Sequence, residues 1–122
     1  MRLDEILERN RRIYPRDQAL VELVPSKNIR KTVTWEELDR HSNKIANGLA
    51  DLGVRPGDKV LHWQKNSITW IETFFAIIKT GAWAVPLNYR FTSEDFQYCA
   101  DITEAKLTIV DEELSERVCN RT

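Results

Sequence analysis

Cysteine is scarce in this sequence of 122 residues, with only Cys99 and Cys119 present. Two cysteines cannot build the disulfide framework of a small secreted domain. The two histidines, His41 and His62, stand far apart, so no Cys/His zinc spacing exists either. This usage points to a reducing compartment, and a cytoplasmic location is expected. An excess of one charge is also missing: 18 Lys plus Arg face 19 Asp plus Glu, a net charge of −1. No basic surplus argues for a nucleic-acid partner or for an anionic membrane. The opening MRLDEILERNRR has no apolar core of the kind a secretory signal needs. The longest apolar stretch, 68–87, is broken by Glu72, Lys79, Gly81 and Pro86, so it reads as a buried helix, a turn and a buried strand rather than a membrane span. Glycine and proline number four each, and no linker or low-complexity run appears. Neither G-x-G-x-x-G nor G-x-x-x-x-G-K-[ST] occurs. Gly53, Gly57 and Lys59 lie before a strand, whereas a phosphate loop follows one, so they form a plain turn.

What remains is an ordinary globular composition, 42% hydrophobic and 30% charged, in a chain of one domain's length. A polar helix with a Leu3, Ile6 and Leu7 stripe is predicted over 3–12 and stops at Tyr14-Pro15. A β-hairpin follows over 19–34, with its turn at Pro25-Ser26-Lys27-Asn28. Thr34 and Glu37 have the spacing of a capping box, and Leu38, Ile45, Leu49 and Leu52 recur at helical intervals up to Gly53. Further helices are expected over 67–80, capped by Asn66 or Ser67, and 93–102, capped by Thr92 with Asp95. Strands are expected at 59–63, 83–86 and 106–110, and an incomplete helix over 112–119. This alternation predicts an α/β fold: a partial parallel sheet with flanking helices, preceded by a β-hairpin. The whole chain, 1–122, reads as one unit: helix plus hairpin over 1–34, α/β units over 35–111 and a tail over 112–122.

Ligands of open parallel sheets gather at the carboxyl ends of the strands. Here those ends are Gln64-Lys65-Asn66, Leu87-Asn88-Tyr89-Arg90 and Asp111. Arg90 precedes a helix start near Thr92, where a phosphate can be held by the guanidinium and by free backbone N–H groups. The alternative is that Arg90 pairs with a surface carboxylate while Asn88 organises the loop. His41 is expected on a solvated helix face and His62 as a core or rim histidine. The run Arg9 to Arg12 with Arg16 reads as a solvated helix end. No catalytic triad is announced by the spacing.

The ordered series Tyr14-Pro15, Thr34-Trp35-Glu36-Glu37-Leu38, Leu52-Gly53-Val54, Pro56-Gly57-Asp58, Asn66-Ser67, Gly81-Ala82 and Val85-Pro86-Leu87-Asn88, then Arg90 and Thr92, resembles the N-terminal part of the acyl-activating, adenylate-forming enzymes. Acyl-CoA synthetases are the branch most alike, because Pro86-Leu87-Asn88-Tyr89-Arg90 resembles their version. The resemblance implies a fragment of the large AMP-binding domain of an enzyme that uses ATP and Mg2+ to turn a carboxylic acid into an acyl-adenylate and passes it to coenzyme A. By the same resemblance Arg90 is the cofactor-binding residue, set against a phosphate of coenzyme A. No catalytic residue and no metal ligand is carried over. Lys65 stands where the family often has proline, and Thr69 where an acidic residue is common. The family's Ser/Thr/Gly-rich phosphate loop, aromatic-Thr-Glu segment, ribose-binding Asp and C-terminal lysine have no counterpart here. The isolated chain is therefore expected to be inactive, to bind no cofactor tightly, to have the remainder of a parent enzyme as its partner, and to self-associate through an open sheet edge or the aromatic face of the helix over 67–80. A free-standing, non-enzymatic α/β binding module and a piece of a peptide-synthetase adenylation domain are the alternatives.

Overall fold

The computed structural model describes residues 3–24, 28–65 and 67–110. Asn66, Asp111, Cys119, the Pro25–Lys27 part of the hairpin turn, the Leu3 side chain and the helix expected over 112–119 lie outside them. Helix α1 (Leu3–Ile13) leads into the antiparallel hairpin of β1 (Gln18–Val24) and β2 (Ile29–Thr34). Then α2 (Trp35–Asp51), β3 (Lys59–Trp63), α3 (Ile68–Lys79), β4 (Trp83–Pro86), α4 (Ser93–Thr103) and β5 (Leu107–Val110) alternate. The three later strands form one parallel sheet in the order β4-β3-β5, apart from the hairpin. The expected α/β class and partial parallel sheet are therefore what the chain adopts.

The helix ends follow the residues that cap them. The Thr34 side chain accepts the Glu37 N–H at 3.1 Å, and the Glu37 carboxylate accepts the Thr34 N–H at 3.0 Å. At the far end of α2 the Gly53 N–H reaches the Ala50 carbonyl and the Val54 N–H reaches Leu49, the paired bonds that close a helix through a left-handed residue. Gly53 supplies that conformation with φ +97°, and Val54 and Leu49 share one core cluster. Leu52, expected on the apolar stripe of α2, is the cap residue instead and is 67% exposed. The chain has already turned away there, so the helical period no longer governs its direction. At α3 the cap is Ser67, which accepts the Trp70 N–H at 3.1 Å. Gly81 ends that helix at φ +80°, where a Cβ would lie 3.1 Å from the Pro56 side chain.

The Glu37 carboxyl is held below its ordinary value of 4.5, chiefly by the hydrogen bond it accepts from the Thr34 backbone. A depressed acid stabilises the fold above its ordinary value, and that contribution disappears as pH falls through the lowered one. A carboxyl NMR titration is therefore expected to give Glu37 a midpoint below 4.5 that Thr34→Ala moves upward. A midpoint at or above 4.5 would refute the capping role.

Strand β3 is the axis of the core, with Val60, Leu61, His62 and Trp63 all buried. Its alternation assigns Val60 to a cluster with Leu49, Val54, Ala76 and Ile77 from the α2 and α3 side. Leu61 and Trp63 belong to the opposite cluster with Phe96 of α4 and Leu87. A third cluster joins Leu7, Val33 and Leu38 to Ile68, Ile71 and Phe75, and so seats α1 and the hairpin on α3. Helix α3 is thus apolar on more than one side because it packs on the sheet and on the hairpin within this chain.

Candidate functional site

The carboxyl ends of β3 and β4 open into a groove of about 630 Å³, lined by Gln64, Lys65, Trp70, Pro86, Leu87, Asn88 and Tyr89. The floor is built from the strand ends upward. The Leu87 N–H continues the ladder to the His62 carbonyl at 3.0 Å. The buried Trp63 indole donates to the Asn88 carbonyl at 3.0 Å and stacks on Phe96, with centroids 5.0 Å apart. The Asn88 side chain accepts the Arg90 N–H at 2.8 Å. Asn88 therefore organises the turn from which Tyr89 and Arg90 project, as its residue type allows.

Arg90 is exposed, and among the described residues no carboxylate pairs with its guanidinium. Of the two sequence readings, pairing with a surface carboxylate is not what these residues adopt. The second support expected for a phosphate is weakened as well. The Asp95 N–H is taken by the Thr92 hydroxyl at 3.2 Å, and Glu94 and Asp95 bring two carboxylates into the first turn of α4. Any anion beside Arg90 must rely on side-chain cations more than on that helix end.

The histidines divide. His62 is fully buried, stacks on Trp70 at 4.6 Å, and has its Nε2 2.6 Å from the Gln64 carbonyl oxygen, so it is a packed core histidine as expected. His41 is not simply solvated: its Nδ1 lies 2.5 Å from Glu72 Oε2, linking α2 to α3. Glu72 is 8% exposed, and it reads in the sequence only as an interruption of an apolar run. Arg9, Arg12 and Arg16 are exposed, but Arg11 reaches Asp39 at 2.9 Å. Asp39 also receives Lys79, which donates to Asn43 at 2.6 Å, so one buried carboxylate ties α1, α2 and α3 together. Sequence reasoning missed that hub, because each member sits on a helix face that looks solvated alone. Gly53 and Gly57 lie in turns ahead of β3, with the Asp58 N–H bonded to the Arg55 carbonyl. Among the described residues no group of three or more His, Cys, Asp or Glu side chains could hold a metal ion. Likewise no helix there is long and apolar enough to cross a membrane.

A capped hairpin followed by parallel α/β units, with an Asn- and Arg-bearing loop at the strand ends, defines the class: the N-terminal α/β region of an adenylate-forming enzyme. Residues 7–122 match the AMP-binding enzyme family, and the chain belongs to it. It is 32% identical over 90 residues to a 3-oxocholest-4-en-26-oate–CoA ligase of Rhodococcus rhodochrous, covering 74% of this chain and 16% of that protein. In structure it resembles the N-terminal domain of FACL13 from Mycobacterium tuberculosis, with a TM-score of 0.86 and 27% identity over 96% of this chain and 28% of that one. It also resembles the anthranilate CoA ligase AuaEII in complex with anthranoyl-AMP, with a TM-score of 0.85 and 29% identity over 96% of this chain and 22% of that one. The chain thus spans less than a third of each of these proteins.

Proposed function

We propose that this chain is the opening part of an ATP-dependent acyl-CoA synthetase. The parent enzyme joins a carboxylic acid to AMP, with release of pyrophosphate, and transfers the acyl group to coenzyme A. Family membership supports the adenylate-forming class, and Arg90 supports coenzyme A as acceptor. A guanidinium without a carboxylate partner among the described residues, on a turn pinned by Asn88 and Trp63, is a prepared contact for a phosphate. ATP supplies the leaving pyrophosphate and Mg2+ the charge neutralisation, and neither is assigned to a residue of this chain. Acting alone, the 122 residues are proposed to be inactive, since the family's Ser/Thr/Gly-rich phosphate loop and C-terminal lysine have no counterpart in this sequence.

The deciding test uses the parent enzyme. Arg90→Ala is expected to raise the apparent KM for coenzyme A about ten- to a hundredfold, the scale of one lost charged hydrogen bond of about 1.5–3 kcal/mol. The pyrophosphate-exchange half-reaction should stay close to the parent rate. An unchanged coenzyme A dependence would make Arg90 a structural residue and remove the main support for this acceptor.

A further inference from the structure

The groove at the ends of β3 and β4 is lined by a cation of its own, Lys65, and Arg90 stands on the turn beside it. The two strands pair up to His62 and Pro86, and the Leu87 N–H still reaches the His62 carbonyl. Lys65 and Tyr89 consequently stand at matching positions, each the third residue past that pair. The Lys65 ammonium lies over the Tyr89 ring, 5.9 Å from its centroid. Arg90 is the next residue. Tyr89 therefore has one cation above its ring and another on its neighbour.

Two observations say what this pair fits. The helix that begins just after Arg90 opens with Glu94 and Asp95, so an anion brought to the guanidinium also meets carboxylates. A second positive group on the groove side offsets them, and a phosphate monoester can use two cations where a carboxylate needs one. The groove itself is walled by Trp70, Pro86 and Leu87. Those walls suit an organic group attached to the phosphate and give nothing to a free inorganic ion. The cation–π contact has a further effect: it holds a long, flexible ammonium over one place before any ligand arrives.

We infer that Lys65, seated on Tyr89, is a second anion-binding cation beside Arg90, and that the groove between β3 and β4 takes a phosphate monoester together with the organic group that carries it. Under the acyl-CoA reading, on which this assignment of the ligand rests, that group is the nucleotide end of the thiol acceptor. Lys65 is a binding residue in this account and touches no reacting atom.

The test is a direct titration of the isotopically labelled chain, followed through the backbone amides of Lys65, Tyr89 and Arg90. Adenosine 3′,5′-bisphosphate is the probe, with adenosine alone and inorganic phosphate as separate arms. Saturable shifts at these residues are expected with the bisphosphate, and weaker binding with either part. Lys65→Gln should weaken the bisphosphate about two- to fivefold, the scale of one exposed charge contact, and reduce its salt dependence. Lys65→Arg should restore both. Lys65 is exposed, so these variants are expected to keep the spectrum of a folded chain. Binding that ignores Lys65→Gln, or no saturable shift at all, overturns the proposal. Inorganic phosphate binding as tightly as the bisphosphate overturns the part played by the groove. The measurement needs no turnover, so its failure is separate from that of the synthetase reading, which stands or falls on coenzyme A kinetics of Arg90→Ala.

Discussion

Truncating Trp63 to alanine is expected to destabilise this domain by about 3–5 kcal/mol, the range for emptying a large aromatic from a packed core. Trp63 is fully buried, lies 5.0 Å from the Phe96 ring in a stacked pair, and shares its cluster with Leu61 and Leu87. Its indole N–H also satisfies the Asn88 carbonyl. A small domain has only about 5–15 kcal/mol in total, so the alanine variant is expected to lose a large share of its folded population. Trp63→Phe separates the two roles. It keeps most of the apolar volume and leaves the Asn88 carbonyl without its donor, at a cost of about 1–2 kcal/mol. Urea unfolding followed by circular dichroism measures both. The phenylalanine variant should further disturb the amide signals of Asn88, Tyr89 and Arg90 while leaving the hairpin unchanged. A phenylalanine variant as stable as the parent, with that turn undisturbed, would show that Trp63 fills space and positions nothing.

Much of the fold is legible in the sequence because its signals are local and agree with one another. Thr34 with Glu37, and Thr92 with Asp95, form reciprocal caps where their spacing says they should. Strands β3 and β4 fall on the residues expected of them. Leu52 is the instructive miss. Helical spacing places it beside Leu49, yet the left-handed residue that ends the helix lies immediately after it, and chain reversal exposes the side chain. Periodicity describes a helix interior and fails within one residue of its cap. Strand β3 looks mixed in sequence for a related reason. His62 in its middle is apolar in use, because one ring nitrogen is bonded to Gln64 and a ring face is covered by Trp70.

The candidate site was legible in part. The rule that ligands gather at strand ends locates the Leu87–Arg90 segment, and it locates Lys65 as well. What it cannot supply is the relation between them. Lys65 and Tyr89 are far apart in sequence, and only the parallel register of β3 and β4 brings them level. The phosphate-binding helix start is the converse case. Glu94 and Asp95 are visible in the sequence, but that the Asp95 N–H is already occupied is a fact of three dimensions. Long-range polar contacts between helices were the least legible of all. His41 and Glu72 are 31 positions apart, and nothing in either neighbourhood announces the other.

The hub at Asp39 carries the other large expected effect. Its side chain is 12% exposed and faces Lys79 of α3 and Arg11 of α1. The two cations are not equal. The Lys79 side chain is only 15% exposed, whereas that of Arg11 is 41% exposed and solvent screens its attraction. Asp39→Ala leaves the lysine nearly buried with Asn43 as its remaining partner, and is expected to cost about 2–3 kcal/mol, below the full value for a wholly buried pair. Arg11→Ala should cost less than about 1 kcal/mol. Taking both partners away together is the sharper experiment. Asp39→Leu with Lys79→Met exchanges a desolvated ion pair for apolar contact between α2 and α3, and should recover most of the stability lost in Asp39→Ala. Chemical unfolding of Asp39→Leu, Lys79→Met and the double variant gives the coupling energy. If the double variant loses the sum of the single losses, the two residues act independently, and the helices are held by the apolar clusters alone. A loss from Arg11→Ala as large as that from Asp39→Ala would instead shift the hub to α1, and α3 would then owe its place to the core of Ala76 and Ile77.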